Sequence, residues 1–191
     1  MKKRLKDQLC VYCFKRPAVT DDHIFARGFF LESDRGNVPK APACEPCNNE
    51  KSKLELYLTA VLPFGGRHGD ALQNLASLVP ARLRGNQRLH RELSSRSFGH
   101  SLPLEGEKLQ ELMGLIARGL VWYHWKTYLN DELHSVVVKT VTGPGAAYFK
   151  NVVFKFKARN RVEQTIGRDI FKYEGLQGID APELTIWRFE I

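Results

Sequence analysis

Apolar residues recur at helical spacing in three stretches of this chain, with strand-like patterns before and after them. Leu54, Tyr57, Leu58 and Val61 predict a helix that begins near Glu45, accepts Pro46 in its first turn and stops at Pro63-Phe64-Gly65-Gly66. A longer stripe of Leu109, Leu112, Met113, Ile116, Leu120 and Tyr123 predicts an amphipathic helix from Glu105 to about Tyr128 whose apolar face is core. Between them, Leu72, Leu75, Leu78 and Val79 predict a short helix with one buried side, and an arginine-rich stretch follows Pro80. Ahead of the first helix, residues 18 to 25 read as a strand ending near His23 and Ile24, residues 31 to 37 as a loop, and residues 38 to 43 as a return strand broken by prolines.

From His134 onward β-branched and aromatic residues dominate, and residues 136–141, 148–156 and 184–191 are the predicted strands. Val152, Phe154 and Phe156 alternate with Val153, Lys155 and Lys157, the period of a half-buried strand, and Thr142-Gly-Pro-Gly145 reads as the turn before it. The fold class expected is α+β. Residues 1–62 form a strand-strand-helix module, 63–104 an arginine-rich helical connector, and 105–191 a C-terminal unit of one long helix and an antiparallel sheet.

The 191 residues suffice for a substantial core without disulfides. The basic start, Met-Lys-Lys-Arg, has no apolar run behind it, and no segment approaches the roughly 18 apolar residues of a membrane helix. A soluble cytoplasmic protein is the expectation.

The formal charge of +8 favours an acidic polymer as partner. Residues 61–100 carry six arginines, Arg67, Arg82, Arg84, Arg88, Arg91 and Arg96, against two acids, so half the excess charge lies there. The guanidinium fork suits phosphate. Arg82, Arg84 and Arg88 are therefore candidate nucleic-acid contacts, with DNA the expected partner.

Two Cys-x-x-Cys pairs, Cys10/Cys13 and Cys44/Cys47, give the chain its most specific signal. In a reducing compartment each two-residue spacer lets both thiolates face one ion, which points to a four-thiolate Zn²⁺ site rather than to disulfides. A closed site of this kind has no open position for water, so it is structural and any chemistry must come from other residues.

Those residues are Asp22, His23 and Asn48. A carboxylate and an amide carbonyl can hold a hard cation, Mg²⁺ or Mn²⁺, while an imidazole takes a proton from water at neutral pH. Neighbours on a strand point to opposite faces, so a working site requires the strand to end or bend at Asp22-His23.

Cys10-x-x-Cys13, Asp22-His23-Ile24, Asn37-Val38, Cys44-x-x-Cys47-Asn48 and Lys51 together resemble the HNH, or His-Me finger, endonucleases, whose β-hairpin and helix cradle one divalent ion. With Asn48 after the last cysteine, the chain is more similar to the phage recombination endonuclease VII branch. The resemblance covers roughly residues 8–60. It implies a divalent-metal-dependent endonuclease with Asp22 and Asn48 as ligands of the catalytic ion, His23 as general base, and Asn37 steadying the loop around that histidine. Arg27 and Lys51 become candidate phosphate contacts. Arg35 or Asn49 could take a polar role that the resemblance does not assign, and Phe25-Ala26-Arg27 stands where many members have a proline. Two rivals keep the cysteines without needing the Asp-His pair: a zinc-bearing nucleic-acid-binding module and a zinc-shaped protein-interaction module. The C-terminal half is left free to bind substrate, to form a homodimer or to sense a partner.

Overall fold

The first knuckle turns back on itself before the first strand begins. The Phe14 amide donates to Cys10 O (2.8 Å), Phe14 adopts φ 52°, and a bridge pairs Leu9 with Pro17. Strand β1 (Thr20–His23) then pairs antiparallel with β2 (Lys40–Ala43), Asp22 opposite Ala41 and His23 opposite Lys40. Pro42 has no N–H to give to a ladder, and its carbonyl accepts the Val11 amide at 3.0 Å, which ties the knuckle to the hairpin. Helix α1 (Glu45–Val61) starts from Cys44 with Pro46 in its first turn, and buries Leu54, Tyr57, Leu58 and Val61 as their spacing predicts. The computed structural model describes residues 5, 7–66, 69–96, 104–129, 137, 144–167 and 170–190.

Residues 69 to 85 are helical throughout: α2 (Gly69–Gln73), a π turn (Asn74–Leu78) and α3 (Val79–Gly85). Pro80 cannot donate to the carbonyl four residues back, and the widened π turn lies immediately before the segment that contains it. That turn rotates the helix face, so Leu72 is exposed while Val79 and Asn74 are buried, instead of the single apolar side expected. The buried Asn74 amide donates to Phe29 O (3.2 Å), while its Oδ1 has no hydrogen-bond partner among the described residues. Helix α4 (Gln87–Arg96) follows after one residue.

Helix α5 (Gly106–Trp125) is the central beam. Leu112, Met113, Ile116 and Leu120 are buried in a cluster that also takes in Cys10, Ile24, Leu58, Leu89 and Phe171, so segments from all three parts of the chain share one core. At the end of the stripe Trp122 is the buried residue and Tyr123 the exposed one. A Cβ at Gly119 would lie 3.0 Å from Ile24, so the missing side chain lets α5 pass directly behind the end of β1. Among the described residues no helix is long and apolar enough to cross a membrane.

The C-terminal sheet is antiparallel, in the order β3 (Ala158–Ile166), β4 (Phe171–Gly178), β5 (Thr185–Glu190). Only the last of these coincides with a predicted strand. The strand expected over 148–156 is instead part of helix α6 (Pro144–Lys155), and Pro144-Gly145 opens that helix rather than making a turn. The reason is a degenerate pattern: Phe149, Val152 and Val153, all half-buried, also satisfy i, i+3, i+4, and Pro144 is tolerated in a first helical turn. The strand expected over 136–141 lies outside the described residues, apart from Val137. Phe25 joins the sheet to the hairpin by stacking on Phe171 and Tyr173, with centroids 4.5 and 5.5 Å apart.

Gly167 sits at this junction with φ 65°, and a side chain there would collide with the Phe30 ring. Gly167→Ala will cost about 1–2 kcal/mol for the left-handed backbone and about 1–3 kcal/mol for repacking. A lower denaturant midpoint with an unchanged m-value is the expected reading.

Candidate functional site

All four cysteines are free, and their sulfurs lie within 4.8 Å of one another. Cys10 and Cys44 are buried, while Cys13 and Cys47 are partly exposed. The Cys13 and Cys44 sulfurs are 3.9 Å apart, close to the roughly 3.8 Å edge of a tetrahedron whose sulfurs stand about 2.3 Å from a central ion. Burial raises the Cys10 thiol to about 11 and the Cys47 thiol further. At Cys13 burial is outweighed by the backbone amides of Lys15 and Arg16, and the thiol falls below its ordinary value. Four converging sulfurs without disulfides fit a metal, and a bound cation would displace the protons that burial retains.

Between Cys10 and Cys13 stands buried Tyr12. Its hydroxyl donates to Asp22 Oδ2 at 2.6 Å, and its backbone carbonyl accepts from Arg118 of α5 at 2.8 Å. Burial and the neighbouring Asp22 charge hold the phenol well above its ordinary value, so it stays a donor. The knuckle that would bind metal thus also orients the carboxylate.

The second group on Asp22 Oδ2 is Lys51 Nζ, at 2.9 Å. Lys51 is fully buried, and its ammonium also donates to Glu55 one turn along α1 and to the backbone oxygen of His23 at 2.7 Å. Three oxygens therefore surround this cation, one of them at the end of β1. Lys51 does not face solvent, so the phosphate contact expected of it is corrected: its charge is committed to the interior.

Asp22 and His23 nevertheless line a single cleft of about 300 Å³, together with Arg27, Ser52, Glu55 and Thr59. Adjacent residues can share it because β1 ends at His23 and the chain leaves the ladder there. The His23 imidazole is half-buried and held below its ordinary value of 6.5 by burial, Lys40 and Arg27, against the opposing pull of Asp22. Burial also raises the Glu55 carboxyl, and Lys51 opposes that rise. Exposed Arg27 stands in the cleft wall.

Asn48 is half-buried in the first turn of α1 and is not part of the cleft lining. Helical spacing puts it on the same face as Ser52, Glu55 and Thr59, nearer the cysteines. Asn37 is exposed and makes no hydrogen bond among the described residues. The task of steadying the loop after His23 falls to Arg35, whose Nε donates to Arg27 O and Phe30 O, each at 3.1 Å, and to Lys51 at the His23 carbonyl.

The arginines of the connector separate by burial. Arg82 turns inward, donating to Thr59 O at 2.8 Å and Gly28 O at 2.6 Å, so it is a strut for the cleft wall and not the phosphate contact its sequence context suggests. Arg84 and Arg88 are exposed. Arg67 lies outside the described residues.

Sequence reasoning did not assign Glu55 or Tyr12 to the site. Glu55 had a readable signal, seven residues after Asn48 on one helical face; Tyr12 had none, because only the fold aims a knuckle residue at Asp22. No protein-family model, curated protein or solved structure matches this chain.

Proposed function

We propose that this protein is an HNH-type endonuclease that hydrolyses phosphodiester bonds of nucleic acid, DNA in the first instance, with a structural zinc ion in the four-cysteine cluster and a separate divalent ion at the cleft. The observation that carries the reading is the convergence of Asp22 and His23 on one cleft of a strand-strand-helix unit whose cysteines gather into a separate thiol cluster. His23, neutral near pH 7, takes a proton from the attacking water. Tyr12 and Lys51 hold Asp22 through Oδ2. Arg27, exposed in the cleft wall, would meet the phosphate.

The cleft offers a hard cation the carboxylates of Asp22 and Glu55, two acids against the two cations Lys51 and Arg27, so a divalent ion there would rest on oxygen ligation more than on net charge. Mg²⁺ or Mn²⁺ held by Asp22, with Asn48 or Glu55 as second oxygen donor, would stabilise charge on the phosphate and the departing oxygen.

Incubation with supercoiled plasmid and Mg²⁺ or Mn²⁺ should yield nicked or linear DNA. His23→Ala should lower the rate by about 10²–10⁴-fold while keeping the zinc content. Full activity in that variant would remove His23 from its role. One observation favours the rival reading, a zinc-bearing nucleic-acid-binding module without catalysis: the Lys51 ammonium already compensates Asp22. That reading predicts DNA held but uncut at every divalent cation concentration.

A further inference from the structure

We infer that the turn between α3 and α4 is a backbone-phosphate clamp for nucleic acid, built from Arg84 and Arg91 with Gln87 and His90 between them. The inference rests on the nucleic-acid reading above but not on catalysis. Residues 79–91 contain four arginines and no acid. Arg82 is spent on the cleft wall, whereas Arg84, Arg88 and Arg91 are exposed, and no carboxylate pairs with them among the described residues. The nearest acid in sequence, Glu92, is engaged by Arg96 and Lys108. Uncompensated guanidinium groups of this kind suit a polyanion.

The turn is also preformed. Asn86 Oδ1 accepts the Leu89 amide at 3.0 Å and so caps α4, while the Asn86 amide donates to Leu83 O at 3.3 Å. Leu89 and Leu93 anchor α4 in the core. Leu83, Arg84, Gln87, His90 and Arg91 then line an open cleft of about 420 Å³ in which four of the five side chains are polar or cationic and exposed. A protein partner would be expected to find aromatic or aliphatic anchors at the centre of such a patch. Here only half-buried Leu83 is apolar, which favours a repeating phosphate backbone over a folded partner.

Arg82 gives the clamp its relation to the first cleft. By binding Gly28 O and Thr59 O, both in residues of that cleft wall, it fixes α3 to the edge of the Asp22-His23 site. A strand held by Arg84 and Arg91 is therefore held in a set relation to Asp22 and His23.

The test is fluorescence anisotropy of a labelled DNA duplex with the full chain, across a salt series in buffer without added divalent cation. Binding weakens as salt rises, and each duplex phosphate neutralised adds about 0.9 to the slope, taken as the steepness of the fall of log K with log salt. Arg84→Gln/Arg91→Gln should lower that slope by roughly 2 and weaken binding by about tenfold or more at moderate salt. Arg84→Lys/Arg91→Lys, which keeps both charges, should return the slope close to that of the parent and so excludes misfolding as the cause. An unchanged slope in the glutamine variant overturns the inference, as does equal loss from Arg159→Gln on β3, since that would show bulk charge alone. Absence of DNA binding by the parent protein overturns it too. Binding without cleavage once Mg²⁺ is added would sink the nuclease reading and leave the clamp standing.

Discussion

Lys51→Met will lower the melting temperature by roughly 6–12 °C and, on the endonuclease reading proposed above, slow cleavage by releasing the Asp22 carboxylate and the His23 carbonyl from their shared anchor. The ammonium is fully buried between Asp22 and Glu55 and donates to the His23 carbonyl. Removing one partner of a buried pair costs about 3–5 kcal/mol, because the remaining charge loses both its solvent and its counter-ion. Asp22 and Glu55 keep some contact with water, with side chains 11% and 19% exposed, so about 3 kcal/mol is the appropriate end of that range. In a chain of this size 1 kcal/mol moves the melting temperature by about 2–4 °C.

The pH dependence fixes the cause. Glu55 already has a raised carboxyl pKa, from burial opposed by Lys51. A carboxyl group whose folded-state pKa is raised contributes stability below its unfolded value of 4.5, and loses it as pH rises through the folded value. Without Lys51 the opposing charge is gone and the pKa rises further, so the gap between variant and parent is widest at neutral pH and narrows on acidification. A gap that does not change with pH would mean that Lys51 acts through packing of its aliphatic stem. Asp22→Asn/Lys51→Met should recover part of the lost stability but none of the cleavage, since removing both charges relieves the desolvated pair and still leaves no ionised ligand.

Much of the N-terminal module was legible because its signals are local: cysteine spacing, an Asp-His pair directly before apolar Ile24 and Phe25, and helical periodicity after Pro46. The web around Asp22 was not. Tyr12, Lys51 and Asp22 are far apart in sequence, and each has an ordinary local explanation until β1, α1 and the knuckle are packed together. Lys51 was misread as phosphate-facing because a lysine next to a nuclease-like motif gives no sign of its depth; the signal available was Glu55, an acid at i+4 whose pairing could draw the ammonium inward.

The C-terminal sheet escaped for a different reason. β3 is exposed along most of both faces, so no alternation of apolar residues marks it. In β4, Gly175 interrupts the pattern because the Trp187 ring occupies the space of its missing side chain. Conversely, α6 carries a strand-like alternation that is equally a helical i, i+4 pattern, and nothing local breaks the tie.

Removing the proposed zinc should be the more severe change, because an ion in the four-cysteine cluster would hold both the fold and the cleft. Structural four-thiolate sites supply on the order of 10–16 kcal/mol of apparent binding energy, comparable to the whole stability of a domain. Here the two knuckles close a loop that contains β1, β2 and their connection, and Cys10 and Cys44 belong to the same core cluster as Ile24, Leu58 and Leu120. Cys47→Ser should therefore lose zinc and expose residues 8–60 to proteolysis, and it should also loosen α5, which packs against α1 and β2 and is bonded to Tyr12 through Arg118. Acid should act in the same direction. Burial favours protonated thiols at Cys10 and Cys47, so falling pH lets protons compete with the ion, and zinc release should precede or coincide with loss of structure. The measurement is zinc content, expected at one ion per chain, followed with circular dichroism and protease sensitivity along one pH titration. Loss of metal with the far-ultraviolet spectrum, proteolysis pattern and melting temperature all unchanged would show that the hairpin and α1 are held by their apolar contacts alone, and that Tyr12 keeps its hold on Asp22 without an ion beneath it.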